Sequence, residues 1–277
     1  MKAVLLLPAA LLATPTFAQT DPAQTSTNVP TSSAPDAPIC TDRPTKSTFA
    51  CTVPAGRFQI ETDLFNWART STDGARTDQY LFTNPTLKYG VGPSTDLEVN
   101  WVPYQRIETR VGAARGSLSG VGDVFLRLKQ RLTPPTGALQ VSLLPYVKAP
   151  TARAGIGNRE WEGGLILPVN YSLPGNVTLT VVPEADLLAD STDGGSRHVQ
   201  LQGVVNFGFQ LNAKTTLYTE LWTAQNFDPA GTIRQYSADV AVAYLLRPDL
   251  QIDLGGNVGL NRLTPDAQLY IGVSKRF

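Results

Sequence analysis

The chain holds one histidine, one methionine and two cysteines in 277 residues, and each shortage removes a class of chemistry. Two cysteines and one histidine leave too few soft ligands to assemble a metal centre, and no metal or other cofactor is expected. No stretch approaches the roughly 18 consecutive apolar residues that a helical membrane span needs. Net charge is also missing, since 23 Lys and Arg balance 23 Asp and Glu, so nothing recruits a polyanion and no nucleic-acid partner is expected. Any electrostatic function must come from where the charges lie. What is plentiful is turn chemistry, with 23 Gly and 21 Pro, a profile that suits β-rich structure.

The N-terminus reads as an export signal. Lys2 precedes a short apolar core that runs to Ala13, and Thr16-Phe17-Ala18 follows it, so residues 1–18 are expected to be a signal peptide cleaved after Ala18. Export without a helical anchor leaves the periplasm, the medium or the outer membrane. Thr20 to Pro38 is rich in Thr, Ser, Ala and Pro and cannot bury enough apolar surface to offset its chain entropy. Residues 19–56 are therefore expected to be a flexible periplasmic segment. It carries Cys40 and Cys51, which an oxidising compartment would pair, closing a loop worth about 3 kcal/mol at most. The alternative is a plug folded back into a barrel mouth, because Asp42, Arg43 and Lys46 could meet charges there.

From Arg57 the pattern changes to period two and keeps it to the end, which argues strands with one apolar face. The expected strands are Arg57–Arg69, Tyr80–Gly90, Asp96–Thr109, Val121–Leu132, Ala138–Pro150, Trp161–Tyr171, Val177–Leu187, His198–Leu211, Thr215–Ala224, Gln235–Leu246, Leu250–Leu260 and Ala267–Phe277. Their connectors alternate between short and long. Short turns at one end, longer loops at the other and an even strand count together describe a transmembrane antiparallel up-and-down β-barrel of about twelve strands, all-β, over residues 57–277. A soluble barrel or sandwich has the same periodicity, but successive hairpins need closure to remove exposed edges, and a closed ring of this size is wide for an apolar filling. Pro85, Pro103, Pro145, Pro168 and Pro183 interrupt the strands, and bulges or frayed rims are expected there.

In such a barrel the polar face lines the lumen. Candidate lumen or constriction residues are Glu61, Asp63, Lys88, Arg106, Arg127, Lys129, Arg131, Lys148, Glu184, Glu220, Asp239 and Asp253. The cations fall on strands two to five, and the anions on strands seven to eleven with strand one, so a basic wall is expected to oppose an acidic one. Such a field would orient dipolar solutes. Salt-bridge networks filling the lumen are the alternative, since unpaired charges in a confined interior are costly.

The last strand, Ala267 to Phe277, resembles the closing strand of bacterial outer-membrane barrels, whose assembly machinery recognises a terminal aromatic. Phe277 is accordingly an expected assembly signal, with outer-membrane lipids and that machinery as partners. Lys275, where another apolar residue would fit, is expected at the periplasmic rim, its stem in the interface and its ammonium in water. Several phrases, in order, resemble a family of outer-membrane transporters of the phenol-degradation (MetA-pathway) type: Thr41-Asp-Arg-Pro44, Val53-Pro-Ala-Gly-Arg-Phe-Gln-Ile-Glu61, Leu87-Lys-Tyr-Gly90 before Asp96-Leu-Glu-Val99, Gly120-Val-Gly-Asp-Val124, Leu144-Pro-Tyr-Val-Lys-Ala-Pro150 and Gly272-Val-Ser-Lys-Arg-Phe277. The resemblance implies a porin-like channel or transporter for small solutes, aromatic or hydrophobic compounds among them, and enzymatic activity is separately not expected. Pro150-Thr-Ala-Arg153 lacks the Gly expected after Pro-Thr.

Two other function classes compete. A barrel enzyme acting on lipids would need a nucleophile and a base, and His198 beside Ser196 is the one candidate, set near the outer rim with no motif around it. A structural or adhesive barrel would expose apolar loop tips, whereas the long loops here are polar. Ser71-Thr-Asp-Gly74 and Ser191-Thr-Asp-Gly194 repeat a turn phrase, with calcium binding as the minor alternative.

Overall fold

The computed structural model describes residues 37–277, so the expected signal peptide and most of the Thr/Pro-rich stretch lie outside the described residues. Sixteen strand segments follow one another: β1 (Phe58–Thr72), β2 (Ala75–Thr83), β3 (Thr86–Gly92), β4 (Thr95–Trp101), β5 (Tyr104–Val111), β6 (Ala114–Gly120), β7 (Val124–Arg131), β8 (Leu139–Ala149), β9 (Glu162–Ile166), β10 (Val169–Leu173), β11 (Val177–Ala189), β12 (Arg197–Asn212), β13 (Thr215–Asn226), β14 (Ile233–Arg247), β15 (Leu250–Gly259) and β16 (Ala267–Arg276). Four pairs of consecutive segments, β2 with β3, β4 with β5, β6 with β7 and β9 with β10, are halves of single interrupted strands. The ring therefore has twelve antiparallel strands, closed by β16 against β1 from Gln59↔Arg276 to Arg69↔Ala267.

Prolines account for three of the interruptions. Pro85, Pro103 and Pro168 fall at the breaks before β3, before β5 and before β10, where a residue without an N–H cannot continue the ladder. Pro145 and Pro183 stay inside β8 and β11, opposite Leu165 and Gly203. Two stretches expected as long loops are instead extensions of strands. β1 and β2 meet at a tip formed by Asp73 (φ 50°) and Gly74 (φ 79°), the positive-φ pair of a type I′ hairpin. β5 and β6 run on to a tip at Gly112. Both extensions are polar on both faces, which hides a strand from a reading based on apolar alternation.

Burial is inverted relative to a soluble protein, and this decides the solvent. Leu87, Leu97, Leu126, Leu128, Val147, Leu165, Val181 and Leu254 are exposed, while Gln59, Glu98, Lys129, Gln140, Asn170 and Asn206 are almost fully buried. Only a hydrocarbon medium makes that exterior favourable, and closure of β16 on β1 removes the free sheet edges that would otherwise face lipid. The molecule is a transmembrane barrel of the bacterial outer-membrane type. One end carries the start of β1, the short turns and Phe277, whose N–H donates to the Phe58 carbonyl at 2.8 Å. Following the pattern of such barrels, that is the periplasmic end.

Candidate functional site: the filled lumen

The lumen is occupied by the chain's own residues. The segment enters at the periplasmic end, where the Ile39 N–H donates to the Pro248 carbonyl at 2.6 Å and Arg276 Nη2 to the Ala37 carbonyl at 2.5 Å. It leaves where the Val53 N–H meets Asp96 Oδ2 at 2.8 Å and the Gly56 N–H meets the Gly90 carbonyl at 2.8 Å. A Cβ on Gly90 would overlap the Pro54 carbonyl, so glycine there lets the segment lie against the wall. Cys40 and Cys51 form a disulfide across its base, Cα atoms 6.4 Å apart. Phe49 packs on both cysteines and on the edge of Tyr218, centroids 6.0 Å apart. The expected periplasmic tail is thus corrected for residues 39–53: they line up inside the barrel. Their side chains are mostly polar, and a polar lumen offers them partners that open solvent would otherwise supply.

Three charged side chains of the segment each find opposite charges on the wall. The Asp42 carboxylate accepts from Lys129 Nζ at 2.7 Å and from Lys88 Nζ, and its backbone N–H donates to Glu61 Oε2 at 2.9 Å. Arg43 places Nη1 on Asp63 at 2.5 Å and Nη2 on Asp253 at 2.6 Å. Asp63 and Asp253 flank Gly272 from the two neighbouring strands, and a Cβ at Gly272 would overlap the guanidinium. Lys46 Nζ reaches Asp239 at 2.6 Å and lies 5.3 Å from the Trp222 ring centroid. The N–H groups of Lys46 and Ser47 both donate to the Glu220 carboxylate at 3.0 Å.

The wall is arranged to need these groups. Glu220 and Asp239 sit directly opposite each other on β13 and β14, and like charges at paired positions repel. Both are buried, and a buried charge without a partner costs several kcal/mol. Lys46 and Ser47 supply the missing cation and donors. In the other sector Lys88 and Lys129 are shared among Asp42, Glu61 at 2.6 Å from Lys88 Nζ and Glu98 at 3.3 Å from Lys129 Nζ.

The remaining sequence candidates are placed as follows. Arg127 and Glu184 both line a cavity of about 240 Å³ bounded below by the segment, and Arg127 approaches Glu98 no closer than 3.9 Å. Lys148 pairs with Glu162 at 2.7 Å and Asp123 at 3.5 Å toward the outer end. Arg131 donates to the Pro93 carbonyl at 2.7 Å, at a periplasmic turn. Arg106 is corrected: it faces outward, opposite Tyr80, because the break at Val102 and Pro103 reverses the alternation, so that Gln105 and not Arg106 follows Asn100 into the lumen. Missed by the sequence reading were Asp96 and Ser47, together with an inward apolar strip of Leu144, Ile166, Val182 and Val204 with Tyr146 and Trp222 against it. The strip was legible only as adjacent apolar pairs, Leu143-Leu144, Leu165-Ile166, Val181-Val182 and Val204-Val205, that spoil strict alternation.

His198 Nδ1 lies 2.9 Å from Asp190 Oδ1 at the outer rim, while the Ser196 hydroxyl donates to Asp193 at 3.1 Å. At the periplasmic rim Lys275 pairs with Asp249 and lies 5.6 Å from the Phe277 ring centroid. The hydrogen bond from Lys275 holds the Asp249 carboxyl below the usual carboxylate range.

A family model described as "Putative MetA-pathway of phenol degradation" matches residues 41–277, and the chain belongs to that family. No curated protein matches the sequence. Among solved structures, the COG4313 outer membrane channel from Pseudomonas putida F1 superposes with a TM-score of 0.69 at 15% identity, covering 84% of this chain and 100% of that one. The NanC porin gives 0.51 at 9% identity over 79% of this chain and 98% of its own. The beta domain of the Bordetella autotransporter BrkA gives 0.51 at 14% identity over 80% and 100%. At these identities the likeness is one of fold.

Proposed function

From its membership of this family, we propose that the protein is an outer-membrane channel for small solutes whose lumen is closed at rest by residues 39–53. One observation carries the reading: a single internal segment presents Asp42 to Lys88 and Lys129, Arg43 to Asp63 and Asp253, and Lys46 to Asp239. Its contacts with the wall between Asp42 and Val53 run through side chains, with backbone N–H groups of the segment bound by wall carboxylates and by Asn170. Such contacts exchange for water without breaking a β-ladder, so the segment can leave while the barrel stays closed on itself.

The solute class follows from what lines the cavity above the segment. Leu144, Ile166, Val182 and Val204 form a buried apolar strip of the lumen wall, and its Ile166 borders the cavity that Arg127 and Glu184 line. Small ring compounds bearing one polar group fit that combination, with the ring on the strip and the polar group on Arg127 or Glu184. Growth of a deletion strain on single carbon sources, followed by radiolabelled uptake of the best, tests this. Uptake restored by the wild-type gene and reduced by Arg127→Ala supports it; sugars and aromatic acids entering equally well would remove the aromatic preference.

The rival reading is a lipid hydrolase centred on His198, whose Nε2 is buried and has no hydrogen bond among the described residues. Phospholipid cleavage abolished by His198→Ala would replace the channel reading.

A further inference from the structure

Outside the lumen, the wall between β1 and β6 carries a second charged surface. Three tiers of outward side chains climb toward the hairpin tips, each two residues, about 7 Å along the strand, above the last. The lowest places Trp67, Tyr80 and Arg106 in register. The next aligns Arg69, Asp78 and Glu108, and the highest aligns Arg76, Arg110 and Arg115 across β2, β5 and β6. Below them Phe65 meets Phe82 edge-on and Phe82 meets Tyr104 at a tilt, with centroids 6.1 Å and 5.5 Å apart. That is an aromatic belt at the end opposite Phe277, where the outer leaflet meets water.

The charges do not cancel. Asp78 takes Arg69 at 2.7 Å and Arg76 at 2.8 Å, and Glu108 takes Arg106 at 2.8 Å. Arg110 is 3.9 Å from Glu108, and Arg115 has no acid within ion-pair range among the described residues. Three arginines directly opposite one another on adjacent strands repel, and their register makes sense when an anion sits between them. Arg106, Glu108, Arg110, Arg115 and Ser117 surround a hollow of about 360 Å³.

We propose that this surface binds the phosphorylated headgroup of an outer-leaflet glycolipid, its acyl chains lying on the aromatic belt beneath. The guanidinium fork matches phosphate oxygens bidentately. A lipid, rather than a soluble anion, is the occupant because the hollow faces away from the lumen and continues into lipid-facing aromatic surface. Binding there is independent of what passes through the barrel.

The test uses the purified full chain in nanodiscs, wild type against R76Q/R110Q/R115Q, and measures retention of bisphosphorylated lipid A, of the same lipid after dephosphorylation, and of inorganic phosphate by native mass spectrometry. Heat-modifiable gel migration confirms folding. Removing three ion contacts should weaken retention of the bisphosphorylated lipid about tenfold, with bilayer conductance unchanged. R115Q alone, at a tip position without an ion pair, should give a smaller loss in the same direction and covers the case in which the triple variant fails to fold. Equal retention by wild type and variants, equal retention of the dephosphorylated lipid, or comparable binding of inorganic phosphate would each overturn the proposal.

Discussion

Arg43 concentrates the lumen's energetics in one side chain. It bridges Asp63 and Asp253 over Gly272, so removing it leaves two buried carboxylates without their cation. Arg43→Ala should destabilise the docked segment by about 3 kcal/mol, read as faster protease cleavage between Ala37 and Ala55 in the folded barrel. Gly272→Ala reaches the same end from the wall side, since the new methyl occupies the guanidinium's place while the outward faces of β15 and β16 are untouched. It should raise conductance with no change in folding yield; conductance at the wild-type level would show that Arg43 is not a clasp. At this scale the sequence was readable where alternation was strict. Glu220, Asp239 and Asp253 could be assigned inward from their neighbours, whereas Arg106 could not, because two residues at a proline break reversed the face of everything after them.

At the scale of elements, the internal segment and the interrupted strands show two limits of sequence reading. Period two was legible wherever one face met hydrocarbon, because lipid demands an apolar row. Past the aromatic belt both faces are wet, and β1, β2, β5 and β6 run on without a pattern to announce them. Residues 39–53 were harder still, for a polar segment in a polar lumen has the composition of a tail. What pointed inward was the order Asp42, Arg43, Lys46, which meets cation, anion and anion on the wall. The disulfide keeps that order compact, and ring closure of this size is worth up to about 3 kcal/mol. Cys40→Ser/Cys51→Ser should therefore leave the barrel's heat-modifiable migration intact while producing transient openings in single-channel records; a silent, wild-type trace would assign the cross-link to export or stability instead.

For the whole molecule, closure and the lipid face are the governing constraints. β16 completes the ring against β1, and the Phe277 N–H bonds the first residue of that strand, so the terminus is both the last wall element and an edge available for pairing before closure. Phe277→Ala should lower outer-membrane levels while the barrel that does insert keeps its lumen; unchanged levels would count against a role in assembly. Leu126 lies outward between Val99 and Val147, and Leu126→Arg should cost about 2–4 kcal/mol of stability in a bilayer, measured by urea unfolding in lipid.

In the proposed function, residues 39–53 are a charge-held closure and not a passive filling. Planar-bilayer conductance of the purified wild type against Arg43→Ala/Lys46→Ala measures it most directly. A nearly silent wild type is expected, against a variant that conducts several-fold more and migrates as the same folded barrel. A wild type that already conducts at the level of the variant would contradict it.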